Sequence, residues 1–173
     1  IELDPTFAYP WNNLGNLLTN QLGRPAEAEA AYRKAIEVDP KYASPWNNLG
    51  NLLQDHLGRP AEAEAAYRKA IEVDPKSAYP WSGLAEILTT LDGRIEEARG
   101  CALKGLSLKP DYRFARRMFR ATCGDHADDW RAALPVLVAW CLTHPTADEV
   151  FEFTVDGWLR LARIAGVTMT AEP

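Results

Sequence analysis

The run Pro10-Trp11-Asn12-Asn13-Leu14-Gly15-Asn16-Leu17-Leu18 returns unchanged 35 residues later, from Pro45 to Leu53. A chain with an internal period of roughly 20–50 residues is restricted to stacked supersecondary units, since one such unit cannot bury its apolar face alone. The same step separates Trp11, Trp46 and Trp81, then Gly23, Gly58 and Gly93, then Pro40, Pro75 and Pro110. Pro145 continues it, so residues 111–145 read as a fourth, degenerate unit. Between Pro10–Pro40 and Pro45–Pro75 only three of 31 positions differ: Thr19/Gln54, Asn20/Asp55 and Gln21/His56. Such near-identity fits a recent duplication and a concatenated consensus alike.

Each unit reads as two helices. Trp11, Leu14, Leu17 and Leu18 recur at three- and four-residue steps and make one apolar helical face. Pro10 and Pro45 suit a first turn, where no backbone N–H is needed, and Ser44 is a candidate N-cap. Gly23-Arg24-Pro25 interrupts the chain, with glycine free to adopt a left-handed stop. The following helix, Ala26 to about Val38, gathers Ala28, Ala31, Tyr32, Ala35 and Ile36 on one face. Asp39-Pro40 ends it. Gly15 and Ala28 are small where the two helices of a hairpin should meet, which lets their axes approach closely.

The chain has 173 residues, 47% hydrophobic and 25% charged, an ordinary globular balance. Its longest uncharged apolar stretch, Ala132 to Leu142, is too short for a membrane span and contains Pro135. A net charge of −5 argues against a nucleic-acid partner, which would need a basic face. Cys101, Cys123 and Cys141 cannot all pair and read as reduced thiols in small core positions. With no leader visible, a cytoplasmic location is expected.

The pattern Trp11-x2-Leu14-Gly15, Ala28-x3-Tyr32, Ala35 and Pro40 resembles the tetratricopeptide repeat family, at a period of 35 where 34 is usual. The resemblance is strongest over residues 8–75. It is thinner in the next unit, where Ala85 replaces the glycine, and weak over 111–145, where Arg116 stands at the tryptophan position. It implies an all-α, right-handed α-solenoid of stacked antiparallel hairpins: the tail of a preceding repeat at 1–7, repeats at 8–42, 43–77, 78–110 and 111–145, a capping helix at 146–166 and a tail at 167–173. Ile1-Glu2-Leu3-Asp4-Pro5 repeats the ending Ile36-Glu37-Val38-Asp39-Pro40, so the chain is expected to be cut from a longer array or built to imitate one. The open face of the first repeat could then serve self-association.

The resemblance also implies that the first helix of each hairpin lines a concave groove. Groove positions would fall one and five residues after each tryptophan and two before it: Asn12, Asn47 and Ser82; Asn16, Asn51 and Glu86; Tyr9, Ser44 and Tyr79. Asn13 and Asn48, two after the tryptophan, match a position where peptide-gripping members carry an asparagine ladder, which Gly83 interrupts. An asparagine offers a carbonyl acceptor and an amide donor together, so it can pair with a peptide backbone whatever its side chains. The expected contacts are Tyr9, Asn12, Asn13, Asn16, Asn47, Asn48, Asn51, Tyr79 and Glu86, and the expected partner is a protein or peptide. Members that clamp a C-terminal carboxylate use cations at groove positions, and Asn12 and Asn47 depart from that pattern.

Arg113, Arg116, Arg117 and Arg120 share one helix face and form a candidate patch for acidic ligands, weighed against a solvated stripe partly neutralised by nearby aspartates. Residues 111–173 hold seven basic and nine acidic side chains, so the patch has no local positive excess. Cys123-x2-His126 and Cys141-x2-His144 look like zinc half-sites, but the helix expected between them would hold them roughly 20 Å apart. No serine sits in a nucleophile elbow, and His56, His126 and His144 are scattered in the repeat frame. The reading is a non-catalytic interaction scaffold without cofactor or metal, with a self-assembling structural array as the alternative.

Overall fold

The computed structural model describes residues 7–90, 94–110, 112 and 132–133. Among these residues all regular structure is helical. Six helices follow in order: α1 (Ala8–Asn20), α2 (Pro25–Val38), α3 (Ala43–Asp55), α4 (Pro60–Val73), α5 (Ala78–Thr89) and α6 (Ile95–Leu108). They pair as hairpins α1–α2, α3–α4 and α5–α6. α2 then packs on α3 and α4 on α5, while α1 meets α3 and α3 meets α5. The hairpins thus stack as an α-solenoid, the expected architecture, with all first helices on one side. Of the expected fourth repeat, Ala132 and Ala133 are helical and Ala133 is fully buried in the core. Apart from Tyr112, the rest of that repeat, the expected cap at 146–166 and both expected tails except Phe7 lie outside the described residues.

Local chemistry explains the boundaries. Gly23 and Gly58 adopt φ of +59° and +61°, the left-handed conformation that favours glycine. The N–H groups of Arg24 and Arg59 reach back to the carbonyls of Leu18 and Leu53 and satisfy helix-end acceptors. Pro25 and Pro60 then open α2 and α4, where a missing N–H costs nothing. At the other end Asp39 accepts the Lys41 N–H at 3.0 Å on its side chain and the Tyr42 N–H at 3.1 Å on its carbonyl. Asp74 repeats this with Lys76 and Ser77. Ser44 does not cap α3: it lies within the helix, which begins at Ala43 with Tyr42 at the cap position and no side-chain cap bond. The aspartate-centred turn already fixes the entry of the chain.

The core alternates bulky and small layers. Leu49, Leu52, Leu53, Leu84, Ile87 and Leu88 come from the first helices, and Ala28, Ala31, Ala63, Ala66, Ala98 and Ala102 from the second. Each buried leucine contributes about 2 kcal/mol of apolar transfer, and the alanines let the helices close on them. Leu17, expected on the buried face, is 41% exposed, whereas its counterpart Leu52 is 1% exposed. Leu52 has a preceding hairpin to pack on; Leu17 has none among the described residues.

The second helices carry a recurring ionic clip at each junction. Arg59 bridges Glu29 of the preceding hairpin (2.8 Å) and Glu62 of its own (2.5 Å), and Arg94 does the same with Glu64 (2.8 Å) and Glu97 (2.6 Å). Arg33 reaches Glu62 at 3.5 Å, and Arg68 pairs with Glu97. Hydrogen bonds from Arg59, Arg94 and Arg68 hold the carboxyls of Glu62, Glu64 and Glu97, respectively, below their ordinary range. A lowered folded-state value stabilises the fold above the unfolded value and is lost as pH falls through the folded one. Urea midpoints should therefore hold steady above the ordinary glutamate value of 4.5 and decline below it. The Glu64→Gln variant should show a shallower decline. An identical acid limb in both proteins would remove Glu64 from the account.

Candidate functional site

α1, α3 and α5 share an edge on which two depressions adjoin. The larger, about 390 Å³, is lined by Asn47, Asn51, Asp55, Tyr67, Tyr79, Gly83, Glu86 and Tyr112. The smaller, about 190 Å³, is lined by Asn16, Thr19, Asn20, Tyr32, Asn48, Asn51, Leu52, Asp55 and His56. Asn51 and Asp55 belong to both, so the two are contiguous along the first helices.

The amides divide into two groups. Asn48 Nδ2 donates to Asn12 Oδ1 (3.0 Å) and Asn16 Oδ1 (3.1 Å), which ties α3 to α1. Tyr32 adds its hydroxyl proton to Asn16 Oδ1 at 2.9 Å. Asn12 is buried to 4% exposure. Asn12 and Asn48, both named as expected contacts, join neighbouring hairpins through their amides, and Asn48 also lines the smaller depression. Asn13 is exposed, and Asn47 and Asn51 line the larger depression. Asn48→Ala should therefore cost about 1–2 kcal/mol, the loss of a part-buried bridging amide, whereas Asn13→Ala should change stability by less than about 0.5 kcal/mol. Urea unfolding of both variants checks this, and equal costs would contradict it.

At the next junction Gly83 takes the place of Asn48, and Tyr67 fills the space. Its hydroxyl lies 2.7 Å from Asn51 Oδ1 and 3.2 Å from Gln54 Oε1, and Gln54 Nε2 donates to Glu86 Oε2 at 2.7 Å. Burial, then the charges of Asp55 and Glu86, push the Tyr67 phenol far above its usual value, so it stays a donor. Tyr79 is 44% exposed and meets the Tyr112 ring edge-on, centroids 4.9 Å apart. The Lys109 ammonium lies 2.7 Å from the Tyr79 hydroxyl and 4.9 Å from its ring centroid. Tyr9, at the matching position in α1, is 64% exposed and lines neither depression.

Several groove residues were not singled out by the sequence. Asp55, Gln54, His56, Tyr67 and Tyr112 line or support the depressions. A signal existed for the first three: they are the positions at which Pro45–Pro75 departs from Pro10–Pro40.

No group of three or more potential metal ligands occurs among the described residues. Burial raises the Cys101 thiol to about 11, so it remains protonated at neutral pH. The cysteine–histidine half-sites and the stripe Arg113, Arg116, Arg117 and Arg120 lie outside the described residues. No helix among the described residues is long and apolar enough to cross a membrane.

Two family models, each described as tetratricopeptide repeat, match residues 6–76 and 53–113, and together they span more than half of the chain. The chain belongs to the tetratricopeptide repeat family. Tetratricopeptide repeats are generally non-catalytic protein–protein interaction modules. No curated protein matches the sequence. Among solved structures the chain is similar to the first tetratricopeptide domain of Spaghetti (RPAP3) bound to an HSP90 peptide, SRMEEVD, at 23% identity and TM-score 0.63, covering 69% of this chain and 95% of that one. The tetratricopeptide domain of Arabidopsis OM64 is similar at 19% identity and TM-score 0.63, covering 69% and 97%. An O-GlcNAc transferase mutant from Thermobaculum terrenum is similar at 20% identity and TM-score 0.61, covering 83% of this chain and 27% of that one. At these identities the likeness concerns the fold. The described hairpins are thus three tetratricopeptide units, here called units one, two and three.

Proposed function

We propose that this tetratricopeptide array is a non-catalytic scaffold that binds an extended peptide or partner segment along the groove of α1, α3 and α5. The observation that carries this reading is the continuity of the two depressions through Asn51 and Asp55. An extended chain advances roughly 3.3 Å per residue, and packed helices are spaced roughly 8–10 Å apart, so a peptide crossing the first helices meets a new helix about every third residue. Asn13, Asn16, Asn47 and Asn51 offer it amide contacts, Tyr9 and Tyr79 offer rings, and Glu86 offers an acceptor. Buried Asn12 supports the groove from behind, and Asn48 both lines the smaller depression and ties α3 to α1.

The Spaghetti (RPAP3) domain holds an acidic peptide. In this chain the groove positions one and five after each tryptophan, Asn12, Asn47, Ser82, Asn16, Asn51 and Glu86, hold no cation, and the one cation in register, Arg117, lies outside the described residues. This departs from a carboxylate clamp and favours a ligand of another kind.

Affinity isolation from cell extract tests the reading, with the parent chain and an Asn47→Ala/Tyr79→Ala variant side by side. A protein kept by the parent and lost by the folded variant supports the groove. Retention by both moves the contact elsewhere on the solenoid. Self-association is the second reading, favoured by Phe7, Tyr9, Leu17 and Leu22, which are 61%, 64%, 41% and 51% exposed on unit one. A mass that rises with concentration in light scattering would support it, and a constant monomer mass would exclude it.

A further inference from the structure

We propose that the larger depression selects a basic side chain, best an arginine, from the segment bound in the groove. The inference rests on the groove reading above and narrows its ligand. It begins with where the repeats diverge. Units one and two agree at every position from their opening proline to their closing proline except three adjoining ones. All three fall at the groove end of the first helix: Asp55 lines both depressions, His56 lines the smaller, and Gln54 holds Glu86. Within that span the differences cluster on one edge of the groove, where Asp55 and His56 face the depressions.

The direction of the change is chemical. Asn20 becomes Asp55, and the position of Asn16 and Asn51 becomes Glu86 in unit three. The groove thus passes from neutral amides in unit one to carboxylates around the larger depression. Asp55 makes no ion pair among the described residues. Asn47 Oδ1 adds a buried acceptor without a hydrogen-bond partner among the described residues. Burial is the main cause of the raised Tyr67 phenol, and the charges of both carboxylates add to it. A guanidinium brings five donors and no acceptor, which complements an acceptor-rich surface. The walls suit it as well. Tyr79 and Tyr112 stand at the rim, and the Lys109 ammonium beside Tyr79 shows that this ring already accommodates a cation. Lys109 is the positive charge in contact with this rim among the described residues, and its ammonium is held by the Tyr79 hydroxyl.

A phage-displayed library of random peptides, panned against the parent and an Asp55→Asn/Glu86→Gln variant, tests the proposal. The parent pool should be enriched in arginine and lysine and depleted in aspartate and glutamate. The best parent-selected peptide should bind the double variant roughly fivefold more weakly, the value of a partly exposed charge contact, and should lose a similar factor when its arginine is replaced by glutamine. Raised salt should weaken the parent complex. Peptides without basic bias, or with acidic bias, overturn the inference. If their binding still falls in the Asn47→Ala/Tyr79→Ala variant, the groove reading survives alone. Failure of the parent to select any peptide overturns both. Should the double variant fail to fold, the glutamine peptide and the salt series on the parent decide, and insensitivity to both overturns the proposal.

Discussion

Tyr67→Ala should destabilise the chain by about 3–5 kcal/mol, the range for removing a large buried aromatic ring. Tyr67 is 1% exposed, and its ring joins three helices. It projects from α4 across Gly50 of α3 and Gly83 of α5; a Cβ added at those glycines would lie 2.7 Å and 2.5 Å from the ring. The ring is also part of the wall of the larger depression, so truncation strips the packing between three helices and opens that wall. Urea unfolding should show the loss directly. Tyr67→Phe keeps the ring and gives up only the hydroxyl contacts to Asn51 and Gln54, so it should cost about 1 kcal/mol. Equal losses in the two variants would mean that the hydroxyl network, and not ring packing, holds the junction.

Glycine-to-alanine changes should have opposite signs at two helical positions. Gly100 in α6 is exposed with nothing within 4 Å of an added Cβ, so Gly100→Ala should stabilise by up to about 1 kcal/mol through helix propensity alone. Gly83→Ala gains the same propensity but drives its methyl group into the Tyr67 ring. Overpacking costs about 1–3 kcal/mol, and the ring is already held on its other side by Gly50, so the net effect should be destabilising. The test is coupling. In a Tyr67→Ala background the clash disappears, and Gly83→Ala should turn neutral or stabilising. Additive behaviour would show that the glycine is kept for some other reason. Gly83, read from sequence as a gap in an asparagine ladder, is in these terms the space that admits Tyr67.

The sequence showed the helices because their signals are local. Apolar residues at three- and four-residue steps, proline at helix starts and glycine at left-handed stops act within a turn of where they stand, and the six helices follow them. Ser44 misled because serine favours a cap by chemistry alone, while the Asp39 turn had set the helix start at Ala43. The groove was legible to the level of a helix face. Asn47, Asn51, Tyr79 and Glu86, named from the family pattern, line the larger depression. Which amides turn toward the neighbouring helix depends on rotation and stacking, and no single unit encodes that. Hence Asn12 and Asn48 went to inter-repeat bonds. Tyr67 was visible only as a repeat-pattern aromatic, since its neighbours Gly83 and Glu86 belong to the next unit. Asp55 was in plain view as one of three differences between two copies.

The junctions described above are not mechanically alike. Beside the ionic clip that both carry, the joint between units one and two has a side-chain amide spanning α1 and α3, backed by Tyr32, and the joint between units two and three has a phenol ring packed against two glycines. An amide bridge is short and directional and parts over a fraction of an ångström, whereas a seated ring keeps contact while it slides. Pulled from its ends, the solenoid should therefore behave as a spring with two different stiffnesses in series. The brittle joint would give way over a short extension, and the compliant one would keep the Asp55–Glu86 end of the groove assembled after the other end has opened.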